Sequence, residues 1–343
     1  MKALVLEEYN QLIYKEMPEP QVGPDDVLVR IKASGICGSD VHGMDGSTGR
    51  RIPPLIMGHE AAGVIAQVGS NVDNFHPGAR VTFDSTVYCG GCFFCRRGEI
   101  NLCDHRRVLG VSCGDYRQHG TFAEYVAVPR RIIYPLPDNI SFEQSAMLEP
   151  CSVAFHAAAI TPLSLNDTAV VVGAGIIGLL LIQALRASGC GQIIAVDLAP
   201  ERLALAQQLG ADKSLNPAED DAVAVIKKMT GNRGADVAFD AVGINASLKT
   251  GLNSLRKGGA LTLIGNLASE VGLALQTVVT GEICVRGSCS SRGDYPAGLD
   301  MIARGAIQVD PLISATAPLS EGAQWFQRLY QKEKGLIKVM LNP

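Results

Sequence analysis

Short runs of valine and isoleucine, broken by glycine, proline and aspartate, characterise the first 150 residues. Four of these runs lie at 27–33, 63–68, 80–83 and 123–128. Short β-branched runs bounded by turn residues are typical of β-strands. The pattern therefore predicts a first domain built mostly from antiparallel strands.

The pattern changes from about residue 167 onward. Helical segments now separate several of the apolar stretches that lie at 169–172, 193–197, 237–241, 260–264 and 283–286. Alternating strands and helices predict a parallel, doubly wound sheet. The fold class is therefore α/β, with a mostly-β domain over 1–152 and a doubly wound domain over 153–288. Residues 289–343 are expected to return to the first domain.

A glycine motif follows the first strand of the predicted parallel sheet. It consists of Gly173, Ala174, Gly175, then Ile176 and Ile177, and ends at Gly178. In a strand–turn–helix unit this spacing lets backbone N–H groups approach a pyrophosphate at the start of the helix. The alternative is a set of glycines that only serves packing.

Asp197 ends the next predicted strand, where an acidic residue can bind the ribose hydroxyls of a dinucleotide. A carboxylate there would repel a 2′-phosphate, so NAD is favoured over NADP. Arg202 is a further candidate for the cofactor site, or else a solvated charge on the next helix.

Four cysteines lie within 15 residues: Cys89, Cys92, Cys95 and Cys103. Four thiolates on one loop can occupy the corners of a tetrahedral structural zinc site. An iron–sulfur cluster, a redox pair and four reduced thiols are the alternatives. Closed coordination of this kind would stabilise the loop without taking part in catalysis.

A second metal site is suggested by Cys37 and His59 together with one carboxylate. A catalytic zinc needs about three protein ligands and an open position for water or substrate. Taken singly, a lone cysteine or histidine is more often structural. Their presence beside a dinucleotide motif strengthens the prediction of a catalytic metal.

Charge and composition exclude other classes of protein. The net charge is −4 and the isoelectric point is about 5.9, which argues against nucleic-acid binding. The longest apolar run, 169–182, is too short to span a membrane. The N-terminus has no signal-peptide core, so a cytoplasmic location is expected.

Together these motifs resemble the zinc-containing medium-chain dehydrogenases. They are Cys37-Gly-Ser-Asp-x-His42, Gly58-His59-Glu60, the four cysteines, Glu149-Pro150 and the glycine motif. The match covers essentially the whole chain in the order of the family. Glu149-Pro150 is closer to the polyol (sorbitol-like), threonine and butanediol branch than to the ethanol-type branch.

The resemblance implies a GroES-like catalytic domain that carries two zinc ions and a Rossmann domain that binds NAD. Cys37, His59 and Glu60 would hold the catalytic zinc, with Glu149 at or just outside its ligand shell. Asp40 would orient His59.

Ser39 and His42 are the predicted proton relay, since a histidine titrates near neutral pH. The alternatives are a turn serine and a surface histidine. The predicted reaction is hydride transfer from a secondary hydroxyl of a small polyol or sugar alcohol to NAD⁺. Alternatives are an anionic substrate, threonine or butanediol, a zinc-free quinone or enone reductase, and a non-enzymatic nucleotide-sensing or lens-type protein. A homo-oligomer is expected, with a tetramer favoured over a dimer.

Arg50 and Arg51 lie between the Cys37 and His59 motifs. Arginine suits bidentate capture of a carboxylate or phosphate, so the pair could bind an anionic substrate. A solvated basic pair at the tip of a loop is the favoured interpretation.

Overall fold

Two units with separate cores make up the structure, a computed structural model that describes Met1–Pro343. The first unit comprises Met1–Glu149, Tyr295–Arg304 and Val309–Pro343. The second comprises Pro150–Asp294 and Gly305–Gln308.

The strands of the first unit pair mostly antiparallel, as their valine- and isoleucine-rich pattern predicts. They are β1 Lys2–Glu8, β2 Gln11–Glu16, β3 Asp26–Gly35, β4 Leu55–Ile56, β5 Glu60–Val68, β6 Arg80–Phe83, β7 Thr86–Val87, β8 Arg107–Val108, β9 Val111–Ser112, β10 Arg117–Gln118, β11 Tyr125–Pro129, β12 Ile133–Pro135, β19 Ile313–Pro318 and β20 Lys338–Asn342. The main sheet has the order β12-β6-β5-β3-β20-β19, with β11 also paired to β3. The central strand β3 therefore contacts β5, β11 and β20.

Short helices connect these strands. They are α1 Gly38–Gly43, α2 Phe93–Arg96, α3 Phe142–Ala146, α10 Tyr295–Ala303 and α11 Gly322–Tyr330. Leu4, Phe122 and Phe326 are fully buried in one apolar cluster of this unit. Val29, Ile65 and similar side chains of the main sheet form another. The C-terminal segment thus completes the core that the N-terminal strands begin.

The second unit is a six-stranded parallel sheet with helices between its strands. Its strands are β13 Thr168–Val172, β14 Gln192–Val196, β15 Lys213–Leu215, β16 Ala235–Asp240, β17 Leu255–Leu263 and β18 Cys284–Gly287. Its helices are α4 Leu148–Ile160, which begins in the first unit, α5 Ile176–Ala187, α6 Pro200–Gln208, α7 Ala222–Met229, α8 Asn245–Ser254 and α9 Leu275–Gly281.

The order of this sheet is β15-β14-β13-β16-β17-β18. This is the strand order of a Rossmann fold, in which the direction of winding reverses beside the first strand. The prediction of a doubly wound α/β fold is confirmed. None of the helices combines the length and the apolar character that crossing a bilayer would require.

Candidate functional site

Two paired strands of the first unit bring the predicted catalytic metal ligands together. Glu60 begins β5 and lies opposite Gly35 in β3. Cys37 follows two residues after Gly35 and precedes α1, and His59 immediately precedes Glu60. The antiparallel register thus places residues from two distant motifs at the same end of the sheet.

The side chains of Cys37, His59 and Glu60 converge at this point. One ligand atom from each, a sulfur, a ring nitrogen and a carboxylate oxygen, lies within 4.8 Å of the others. A thiolate, an imidazole and a carboxylate are the donors that zinc takes in proteins, and three of them leave a position open. The donor set therefore fits a catalytic zinc.

Asp40 lies behind the imidazole of His59. Its Oδ2 is 3.4 Å from Nδ1 of His59, and both atoms are buried without another hydrogen-bond partner. Burial opposes protonation of His59, but Asp40 and Cys37 outweigh it and raise the pKa of the imidazole. The same surroundings that favour a proton favour a metal cation, and Nδ1 facing Asp40 leaves Nε2 available as a ligand.

Glu60 has a second, cationic neighbour in Lys338. The Nζ of Lys338 donates to Oε1 and Oε2 of Glu60 at 2.8 and 2.6 Å, and to the carbonyl oxygen of Ile36 at 3.0 Å. Gly35 leaves room for this carboxylate, because a Cβ there would lie 2.3 Å from Oε2. Burial would lower the pKa of Lys338, but Glu60 reverses the effect and the net shift is upward.

Glu149 lies in the first turn of α4, in the same unit. It accepts a hydrogen bond of 2.9 Å from the hydroxyl of Ser85. Burial raises the pKa of the Glu149 carboxyl group, against the opposing effect of His59. Glu149 is not one of the three residues whose ligand atoms converge within 4.8 Å.

The two predicted relay residues, Ser39 and His42, both lie on α1 and are exposed. Residues three apart are neighbours on one face of a helix, so the two side chains can be close. The hydroxyl of Ser39 accepts a hydrogen bond of 3.2 Å from Nη2 of Arg51, which leaves its own proton available.

The four clustered cysteines form a separate group on the loop around α2. The sulfur atoms of Cys89, Cys92, Cys95 and Cys103 all lie within 4.8 Å of one another. None of the ten cysteines of the chain forms a disulfide. A tetrahedron with zinc–sulfur bonds of about 2.3 Å has edges of roughly 3.8 Å. The Cys89–Cys95 sulfur distance of 4.0 Å is close to that value, so the group fits a closed zinc site.

Backbone N–H groups point at these sulfur atoms. Gly91 donates to Cys89, Cys95 donates to Cys92, and Cys89 donates to Cys103. Such bonds stabilise a thiolate, and the bond from Gly91 is the largest of the effects that lower the pKa of Cys89 to about 6. Burial raises the pKa of Cys95 to about 12. One thiol of the group is therefore ready to bind a cation as a thiolate near neutral pH.

The glycine motif turns from β13 into α5 in the second unit. Gly173 has a positive φ of 97°, which a side chain rarely adopts. A Cβ on Gly178 would lie 1.8 Å from the carbonyl oxygen of Gly173, whereas a Cβ on Gly175 would project into open space. Ile176 and Ile177 begin the helix, so their N–H groups face the space beside Gly175.

Asp197 follows β14, and its side chain is hydrogen-bonded to the backbone of the glycine motif. Its Oδ2 accepts from the N–H of Ala174 at 2.7 Å, and its Oδ1 accepts from Ala199 at 2.9 Å. Each oxygen keeps a lone pair for a further donor. Arg202 is half-buried in α6 and forms no ion pair.

One expectation is wrong: Arg51 is not part of a solvated pair. Its side chain is 5% exposed and is paired with Asp40, whereas Arg50 is exposed.

The ion pair between Lys338 and Glu60 is not among the features predicted from the sequence. A lysine at the start of the apolar run 338–341 was the available signal, because a lysine in a buried strand needs an anionic partner.

Two protein-family profiles match the chain. The Alcohol dehydrogenase GroES-like domain matches residues 23–138, and the Zinc-binding dehydrogenase domain matches residues 177–304. The first match lies within the β-rich unit and the second covers most of the Rossmann sheet. The predicted combination of a GroES-like and a Rossmann domain is confirmed.

Individual relatives match over nearly the full length. Sorbitol dehydrogenase of Bacillus subtilis (strain 168) is 36% identical over 100% of this chain and 97% of its own. D-arabitol-phosphate dehydrogenase of Enterococcus avium is 33% identical over 98% and 95%. The crystal structure of an Escherichia coli CFT073 alcohol dehydrogenase complexed with NADH is 30% identical, with a TM-score of 0.92 over 100% and 99%. The chain therefore belongs to the zinc-containing medium-chain alcohol dehydrogenases, in the sorbitol-dehydrogenase-like branch, and is an oxidoreductase with zinc and a nicotinamide dinucleotide as cofactors.

Proposed function

We propose that the protein oxidises a secondary hydroxyl of a small polyol or sugar alcohol and passes the hydride to NAD⁺. The observation that carries this proposal is the convergence of Cys37, His59 and Glu60 within 4.8 Å. Three ligands with an open position suit a reacting hydroxyl. The four clustered cysteines would hold a second zinc that stabilises the unit.

Three residues of the chain would move the substrate proton or orient a metal ligand. Zinc supplies the Lewis acidity that makes a hydroxyl proton easier to remove, and the nicotinamide ring accepts the hydride. Ser39 would take the proton from the substrate hydroxyl and pass it towards His42, which is exposed to solvent. Asp40 would keep Nδ1 of His59 protonated so that Nε2 faces the metal.

A neutral substrate is favoured over an anionic one. Arg51, one of the two arginines that could capture an anion, uses its guanidinium on Asp40 and Ser39. Arg50 alone is exposed. One relative is named for arabitol phosphate, so a sugar phosphate remains the second candidate.

NAD is the proposed cofactor in preference to NADP. The pyrophosphate contacts of the glycine loop are common to both, so the choice depends on Asp197, whose carboxylate would bind the ribose hydroxyls and repel a 2′-phosphate. We expect a higher kcat/KM with NAD in the wild type and a smaller preference in Asp197→Ala. Equal or better kcat/KM with NADP in the wild type would contradict this assignment.

A homo-oligomer, with a tetramer favoured over a dimer, and a cytoplasmic location are also proposed. Leu275 and Val279 in the second unit are each 65% exposed, and β18 is an edge strand of the parallel sheet. An exposed apolar patch is typical of a protein–protein interface. Light scattering of the purified protein tests the assembly.

A substrate panel followed by NADH absorbance tests the function. It pairs neutral polyols with their phosphates and acids, and adds threonine and 2,3-butanediol, with Cys37→Ser as the inactive control. The proposal predicts NADH formation with a pentitol or hexitol at a higher kcat/KM than with any paired anion. The proposal is wrong if no polyol is oxidised at a secondary hydroxyl. An anion with a higher kcat/KM than its neutral partner would establish the sugar phosphate or sugar acid as the substrate class.

A further inference from the structure

Arg51 is a buried arginine whose donors serve two polar side chains of the proposed site. Its Nε and Nη2 donate to the same oxygen of Asp40, Oδ1, at 3.1 and 2.9 Å. Its Nη2 also lies 3.2 Å from the hydroxyl oxygen of Ser39. The side chain is 5% exposed, so these bonds form away from bulk water and are weakly screened.

The fold provides a fixed place for this side chain. The backbone around Arg51 is held by Ser112, which accepts from the N–H of Ile52 at 3.1 Å and donates to the carbonyl of Arg50 at 3.2 Å. Gly43, at the end of α1, lets the aliphatic part of Arg51 cross the helix. A Cβ on Gly43 would lie 2.5 Å from Cγ of Arg51.

Asp40 connects Arg51 to a metal ligand. Because Arg51 occupies Oδ1, the other oxygen, Oδ2, faces Nδ1 of His59 at 3.4 Å. A side chain that binds the outer nitrogen of a ligand imidazole fixes its orientation and its tautomer. Asp40 can do this only while its own carboxylate is held in one rotamer.

We propose that Arg51 is a positioning residue that couples the metal ligand to the proton relay. It orients the Asp40 carboxylate towards His59. It also donates to the Ser39 hydroxyl oxygen, so the hydroxyl proton of Ser39 points away from Arg51. This inference rests on the proposed function, and it replaces the role of Arg51 in capturing an anionic substrate. No substrate contact is assigned to Arg51.

Zinc retention tests the inference without any substrate. Wild type, Arg51→Met and Arg51→Lys are exposed to graded dipicolinate, and the remaining zinc is measured by elemental analysis. Arg51→Met should release its first zinc at a 10- to 100-fold lower chelator concentration, the usual effect of losing a residue behind a ligand. The zinc held by the four clustered cysteines should be retained as in wild type. Arg51→Lys should fall between the two, because an ammonium keeps the charge without the planar fork.

Arg117→Met is the matched control. Arg117 donates to the carbonyl of Pro53 and to the hydroxyl of Ser112, so it holds the same loop but does not touch Asp40. Its zinc retention should equal that of wild type. If Arg117→Met loses the first zinc as readily as Arg51→Met, loosening of the loop explains the effect and the inference is wrong.

Kinetics separate positioning from substrate binding and from simple stabilisation. Arg51→Met should lower kcat at least tenfold and leave KM for the best substrate of the panel within twofold. A raised KM with unchanged kcat, or unchanged zinc retention, would overturn the inference. The inference would also be overturned if both Arg51 variants lost both zinc ions together with the cooperative urea transition. A wild type that holds two zinc ions but oxidises no polyol would overturn only the proposed function, because zinc retention is measured separately.

Discussion

At the scale of single residues, the buried carboxylates of Asp40 and Glu60 each have a cationic partner. Asp40 lies between Arg51 and His59, and Glu60 binds Lys338. Taking an ion out of water costs several kcal/mol unless a partner and further hydrogen bonds compensate for it. These pairs therefore allow a carboxylate to stay ionised inside the fold, where it can serve as a metal ligand.

The Lys338–Glu60 pair should contribute strongly to stability. Both side chains are 1% exposed, so in protein stripped of zinc Lys338→Met would leave the Glu60 carboxylate buried without its ammonium partner. We expect the free energy of unfolding in urea to fall by about 3–5 kcal/mol. Lys2→Met is the control, since Lys2 and Glu16 are 45% and 79% exposed and solvent screens such a pair, so its loss should change stability little. Equal losses in the two variants would contradict this assignment.

Residues of the site could be predicted where the motif is local. Cys37, His59 and the four cysteines could be named because residue type and spacing along the chain are themselves the signal. Lys338 lies 278 residues from its partner, and no spacing links the two. Arg51 was misjudged for the same kind of reason, because its burial depends on how α1 and the following loop fold together.

At the scale of elements, the turn between β13 and α5 contains three glycines, and each has a different role. Gly173 supplies the positive φ, and Gly178 allows the helix to approach the carbonyl of Gly173. A Cβ on Gly175 would meet no atom within 4 Å, so the role of this glycine concerns what binds there. The free N–H groups at the start of α5 suit an anion such as a pyrophosphate.

Two alanine substitutions separate packing from binding. Gly178→Ala should destabilise the protein by about 2 kcal/mol or more, because its methyl group cannot fit beside Gly173. Gly175→Ala should leave the unfolding free energy within about 0.5 kcal/mol of wild type and weaken NADH binding about tenfold or more. Urea unfolding and NADH fluorescence titration measure these effects. A Gly175→Ala variant that binds NADH like wild type would show that the dinucleotide does not approach this backbone.

Nine of the twenty strands could be predicted, because their hydrophobic pattern is local. The strand expected at 193–197 is observed at Gln192–Val196, and the strand expected at 80–83 is observed at Arg80–Phe83. The strand expected at 260–264 instead starts at Leu255, five residues earlier. Its first half contains charged residues and two glycines, and of these residues only Leu255 is paired with β16 before a register shift, after which pairing resumes at Ala260.

At the scale of the whole molecule, the proposed tasks are divided between the two units. The residues of both proposed metal sites belong to the first unit, and the glycine loop and Asp197 belong to the second. Periodicity could not show how the end of the chain is shared. Residues 295–304 and 309–343 belong to the first unit, while 305–308 belong to the second, and only long-range packing determines this.

The zinc content of the purified protein is a direct test of the two proposed metal sites. We predict about two zinc ions per chain in wild type, one for each ligand set. Cys37→Ser should hold one zinc and lose activity while its urea transition is preserved. Cys92→Ser should also hold one zinc, but unfold at lower urea concentration. A wild type that holds one zinc ion or none, or a Cys37→Ser variant that keeps both, would contradict the two-site account.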